Sequence, residues 1–63
     1  MRITLKAARV NAGLTLIEAA KRIGVSRDTL RNWERGKTFP SSDKIAIICE
    51  VYNCHYDAIQ WKR

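Results

Sequence analysis

The sequence predicts a single all-α domain of five short helices, and three observations carry that expectation. Helix breakers fall at short, even intervals, at Gly13, Gly24, Gly36 with Pro40, and Asn53; each glycine follows an amphipathic block and precedes a good N-cap residue, the pattern of a left-handed C-cap and a restart. Hydrophobic residues make up 46% and charged residues 29%, with three Gly and one Pro and no repeat or low-complexity stretch, which describes a packed chain and not a disordered one. The 63 residues leave room for one domain, 1–63, whose small core depends on regular helix packing.

The first helix is expected over Leu5–Asn11 with Thr4 as its cap and Leu5, Ala8 and Ala12 on one face at i, i+3 and i+7; Gly13 ends it. Thr15 and Glu18 form a T-x-x-E capping box that opens the second helix, in which Leu16, Ala19, Ala20 and Ile23 face inward while Lys21 and Arg22 stay in water. Ser26 caps a third helix, Arg27–Arg35, anchored by Leu30 and Trp33. Residues 24–26 alone separate the second and third helices, and so tight a glycine link gives a steep crossing, as in a helix-turn-helix spanning about 16–35. Ser41 is the expected cap of the fourth helix, with Ile45, Ile48, Cys49 and Tyr52 at i, i+3, i+4 and i+7, and Asn53 takes the left-handed position after it. A fifth short helix over 56–61 tucks Tyr56 and Ile59 onto the core. Ile47, Val51 and Trp61 are then surplus: they form a face for a second copy of the chain, or they thicken the core.

Twelve Lys and Arg against six Asp and Glu give a formal charge of +6, so polyanions are the first partners to weigh. At about 100° per residue, Arg27, Arg31 and Arg35 form one row on the third helix with Asp28 and Asn32 beside it, opposite Leu30 and Trp33. A solvated face usually alternates Lys and Glu; three like charges at i, i+4 and i+8 repel one another in the free protein, which a binding role explains. Arg clamps guanine or phosphate, Asn pairs with adenine, and Asp accepts from cytosine. Lys37 places a further cation where the chain leaves this helix, suited to a neighbouring phosphate.

Other chemistries find little support. Cys49 and Cys54 allow at most one disulfide, and the N-terminus does not read as a signal peptide, so a reducing compartment and a cytoplasmic protein are expected. Cys54 adjoins His55, but one His and two Cys in a single stretch do not make a zinc site, and neither metal nor cofactor is expected. His55 has no nucleophile or carboxylate constellation, so no enzyme is expected. The longest apolar run, 45–49, is too short to span a bilayer.

The stretch GLTLIEAAKRIGVSRDTLRNWERGKTFPS resembles the helix-turn-helix domains of the Cro/repressor-like, or Xre, family. Ala20, Gly24, Val25, Leu30 and Trp33 stand at that family's helix-packing positions, and the W-E-R-G segment from Trp33 to Gly36 is its most specific part. Ala20 is small where two helices meet, Gly24 admits a positive φ, and the other three fill the space between them. The resemblance implies a five-helix, lambda-repressor-like fold that inserts its third helix in the major groove of double-stranded DNA. It puts base contacts at Arg27, Asp28, Thr29, Arg31 and Asn32 and an ion pair between Arg9 and Glu34; phosphate contacts are expected at Thr15, Ser26, Arg35 and Lys37. One departure stands out: Leu16 occupies the position where the family commonly has a phosphate-binding Gln.

The function expected is that of a small Cro-like repressor, of bacterial or phage-encoded type and nucleoid-associated, that occupies a palindromic operator as a homodimer, since one short domain reads only a few base pairs. An antitoxin, controller or excision-type accessory protein would share the fold. A protein-interaction module whose basic helix meets an acidic partner is the competing class, and it predicts binding without regard to DNA sequence.

Overall fold

In the computed structural model, residues 2–61 are described. Four α-helices make up most of the chain: α1 (Leu5–Asn11), α2 (Leu16–Ile23), α3 (Arg27–Arg35) and α4 (Ser42–Tyr52). Two very short strands, β1 (Ile3–Thr4) and β2 (Ile59–Gln60), pair in parallel with Ile3 opposite Ile59 and Thr4 opposite Gln60. The all-α class holds, with this seam as an addition to it.

Local chemistry sets the helix ends. Thr4 accepts from the Ala7 amide at 3.0 Å and Ser26 from the Thr29 amide at 3.1 Å. Thr15 and Glu18 make both bonds of the capping box, at 3.2 and 3.0 Å. Gly24 and Gly36 close α2 and α3 at φ 90° and 78°, conformations that cost an ordinary L-residue roughly 1–2 kcal/mol. Asn53 takes the same role after α4 at φ 52°. Ser41 precedes α4, but its side chain makes no capping bond.

The core joins Leu5 and Ala8 of α1, Ala19, Ala20 and Ile23 of α2, Leu30 and Trp33 of α3, Ile48 and Tyr52 of α4, and Ile59. α2 lies at the centre, against both α3 and α4, while α1 and the strand seam close the remaining side.

Three expectations need correction. The fifth helix is a 3₁₀ turn, Tyr56–Ala58, because Ile59 is extended to pair with Ile3; Ile59 is buried, but Tyr56 is exposed. On α1 the inward residue after Ala8 is Arg9, not Ala12, which lies past the last helical residue and is exposed. On α4 the packed side is turned toward Ile47 and Val51, which rest on the core along with Trp61, while Ile45 and Cys49 are half-exposed on the other flank. Ile47 and Val51 are thus half-buried against the core, in keeping with the second of the two readings of that row.

Candidate nucleic-acid interface

α3 divides cleanly between an inner and an outer face. Leu30 and Trp33 point into the core, whereas Arg27, Asp28, Arg31 and Arg35 are exposed and Thr29 and Asn32 are half-buried beside them. Since the inner residues fix the helix's rotation, the outer set is held toward solvent as one surface. Arg27 Nε lies 3.5 Å from Asp28 Oδ1, with both side chains largely in water. Such a pair contributes little to stability and opens readily to a ligand.

The two ends of α3 differ in what they offer. At its start the Ser26 and Thr29 hydroxyls share a hydrogen bond of 2.8 Å, and Ser26 Oγ also accepts from the Thr29 amide. The shared bond uses one hydroxyl hydrogen, leaving one for an anionic oxygen. At its end the Gly36 turn lets the Lys37 amide donate to the Asn32 carbonyl at 2.9 Å, which fixes the backbone carrying the exposed Lys37 side chain. At the start of α2 the Thr15 hydroxyl accepts in the capping box and also engages the Glu18 carboxylate. The Thr15 amide donates to the Glu18 carboxylate and holds that carboxyl below its ordinary range.

Behind the outer face lies an ion pair. Arg9 Nε donates to Glu34 Oε2 at 2.8 Å and Arg9 Nη2 to Glu34 Oε1 at 3.4 Å, with side chains only 10% and 8% exposed. Arg9 Nη1 donates to the Leu14 carbonyl at 3.0 Å. One guanidinium thereby ties α1, the turn before α2 and α3 together, and α3 cannot shift without leaving a charge stranded away from water. The buried Tyr52 hydroxyl has no hydrogen-bond partner among the described residues. Burial, reinforced by the Glu34 charge and opposed by Arg9, pushes it up to about 12.

Sequence reasoning overlooked Lys6. It is exposed on α1 three residues before Arg9 and lines a cleft with Arg9, Leu16, Arg31, Glu34 and Arg35. The i, i+3 spacing from Arg9 is the signal that places it on that side of α1. Among the described residues no helix is long and apolar enough to cross a membrane. Cys49 and Cys54 are free and half-buried, and burial pushes both thiols up, away from the reactive thiolate form.

With this geometry the comparisons with known proteins agree. A helix-turn-helix family profile matches residues 5–59. The antitoxin PezA of Streptococcus pneumoniae is 36% identical over 52 residues, which cover 82% of this chain and 33% of that protein. The transcriptional regulator ImmR of Bacillus subtilis is 34% identical over 58 residues, 92% of this chain and 46% of its own length. An uncharacterised helix-turn-helix transcriptional regulator of Archaeoglobus fulgidus is 37% identical over 59 residues, 94% and 83% of the two chains. The chain thus spans between a third and a half of the first two relatives. No solved structure matches it at the same stringency.

Proposed function

Because the chain belongs to the Xre-type helix-turn-helix family, we propose that it is a DNA-binding domain of a transcriptional regulator that lays α3 in the major groove of an operator and represses by occupying it. The observation that carries this reading is the division of α3: Arg27, Asp28 and Asn32 sit on the outward side of a helix held from behind by Leu30, Trp33 and the Arg9–Glu34 pair. Such a face brings donors and acceptors to base edges with little freedom left to lose on binding. Ser26, Thr15, Arg35 and Lys37 border it and meet phosphates, fixing register without reading sequence.

The operator is a palindrome and the protein binds it as a homodimer, because one α3 spans few base pairs and two half-sites one helical turn apart, about 34 Å, supply the specificity. Phe39 and Tyr56, roughly half exposed and flanking Trp61 in one shallow pocket, offer the apolar surface for a second copy. The protein works in the cytoplasm, at the nucleoid, in a bacterial or phage setting.

Selection of bound duplexes from a random pool tests the reading: a palindromic consensus is expected, and retention of the pool without enrichment would overturn it in favour of a general basic module. Asn32→Ala should cost about 1–3 kcal/mol on the selected site and little on random DNA, whereas Lys37→Ala should weaken both alike. Similarity to a protein named as an antitoxin favours a second reading, in which the same DNA-reading domain belongs to an antitoxin. A neighbouring gene whose product is toxic alone and harmless with this chain would decide for it.

A further inference from the structure

We propose that the cleft between α1 and α3 is a seat for one backbone phosphate of duplex DNA, with Lys6 as its cationic arm in place of the contact that Leu16 cannot make. The proposal rests on the DNA-binding reading above and adds a site and a residue to it. Lys6, Arg9, Leu16, Arg31, Glu34 and Arg35 line the cleft. Four of these are cations and one is an anion, but the Glu34 carboxylate is already engaged by Arg9 at 2.8 and 3.4 Å. The charges that remain exposed in the cleft include Lys6 and Arg31, drawn from two different helices.

Like charges gathered around a concavity repel one another in the free protein and focus potential on whatever anion enters. The floor is rigid, because the donors of Arg9 are shared between the Glu34 carboxylate and the Leu14 carbonyl. Leu16 forms an apolar wall with no polar side-chain atom, so a phosphate oxygen finds its partners on the opposite rim. Lysine suits that place: a compact charge on a flexible stem follows a phosphate without demanding a fixed fork geometry.

Position along α3 separates this site from base reading. In a helix-turn-helix the N-terminal residues of the recognition helix reach base edges, and Arg27 and Asp28 stand there. Arg31 and Arg35 lie one and two turns further along, on the side that meets α1. In this arrangement Arg31 reaches the backbone and not a base.

The test is the affinity for a random-sequence duplex as a function of KCl concentration, followed by fluorescence anisotropy, for wild type, Lys6→Ala, Lys21→Ala, and Lys6→Ala with and without Leu16→Gln. Lys6→Ala should lower the log–log salt slope by about 0.9 and, for curves that converge near 1 M salt, weaken binding about eightfold at roughly 0.1 M. Lys21→Ala, which removes the same charge from the exposed side of α2 outside the cleft, should leave the slope in place. Leu16→Gln should recover part of the affinity lost by Lys6→Ala, with circular dichroism unchanged throughout. An unaltered slope for Lys6→Ala beside intact wild-type binding overturns the seat and spares the DNA-binding reading. Equal shifts for the two lysine variants would reduce it to net charge and overturn it as well. Competition by inorganic phosphate beyond that of chloride at equal ionic strength would mark a free-anion site and reject the duplex assignment. A wild type that binds no duplex removes both readings together.

Discussion

Helices α2 and α3 are closed at both ends by directed hydrogen bonds, whereas α4 is so closed at its C-terminal end alone. α2 starts in a complete capping box and α3 on the Ser26 hydroxyl, and both end on a left-handed glycine. α4 begins at Ser41 without a side-chain bond and contributes Ile48 and Tyr52 to the core. The contrast separates two demands on a small protein. Burial is non-directional and secures stability, while caps and ion pairs fix where a helix starts and how it is turned. The direction-setting devices are gathered around α3 and the helix before it.

Four measurements would break or sharpen that comparison. The largest effect is expected from Glu34→Ala, which strands Arg9 and should lower unfolding free energy by about 3 kcal/mol; a double-mutant cycle with Arg9→Ala by urea denaturation should find strong coupling. Next comes Gly24→Ala. Nothing lies within 4 Å of where its Cβ would stand, so the cost is purely conformational, about 1–2 kcal/mol. Asn53→Gly at the end of α4 should instead be neutral or slightly favourable, because that site already tolerates a side chain at φ 52°.

A smaller contrast is expected at the N-caps. Thr15→Ala should cost about 1 kcal/mol, and Ser41→Ala, which removes no capping bond, a few tenths at most by the same scale. The least effect should come from pH. The Glu18 carboxyl is depressed by its bonds with Thr15, so its contribution is present above its ordinary value of 4.5 and fades as pH falls below it. Thermal melts from pH 7 to 3 should lose this increment, and Glu18→Gln should remove that portion of the pH dependence.

The helix boundaries were legible in the sequence because they are written in local chemistry: a capping box at Thr15, hydroxyl caps at Thr4 and Ser26, and glycines where φ turns positive. The inner anchors Leu30 and Trp33 followed from period alone. The seam of β1 and β2 was not legible, since two-residue strands show no alternation and their partners stand at opposite ends of the sequence. α4 was misjudged for a different reason. It is apolar around much of its circumference, so periodicity could not choose between the side of Ile45 and Cys49 and the side of Ile47 and Val51; tertiary contacts made that choice. The pairing of Arg9 with Glu34 came from the family resemblance, and their 2.8 Å contact with both side chains nearly buried agrees with it. Lys6 lacked any motif, and its place beside Arg31 and Arg35 emerges only once α1 lies across α3.

The parallel pairing of Ile3–Thr4 with Ile59–Gln60 bears on the order in which the chain assembles. Each helix closes over neighbours a few residues away, and the α2–α3 turn draws only on contacts near in sequence. The seam, by contrast, closes a loop that runs from residue 5 to residue 58, and the entropy of bringing such distant segments together falls due before the few bonds between them form. Two residues per strand cannot meet that cost unaided. The helical body must therefore form first and hold the ends within reach, so that the seam latches a nearly finished structure and adds a barrier to its reopening more than speed to its making.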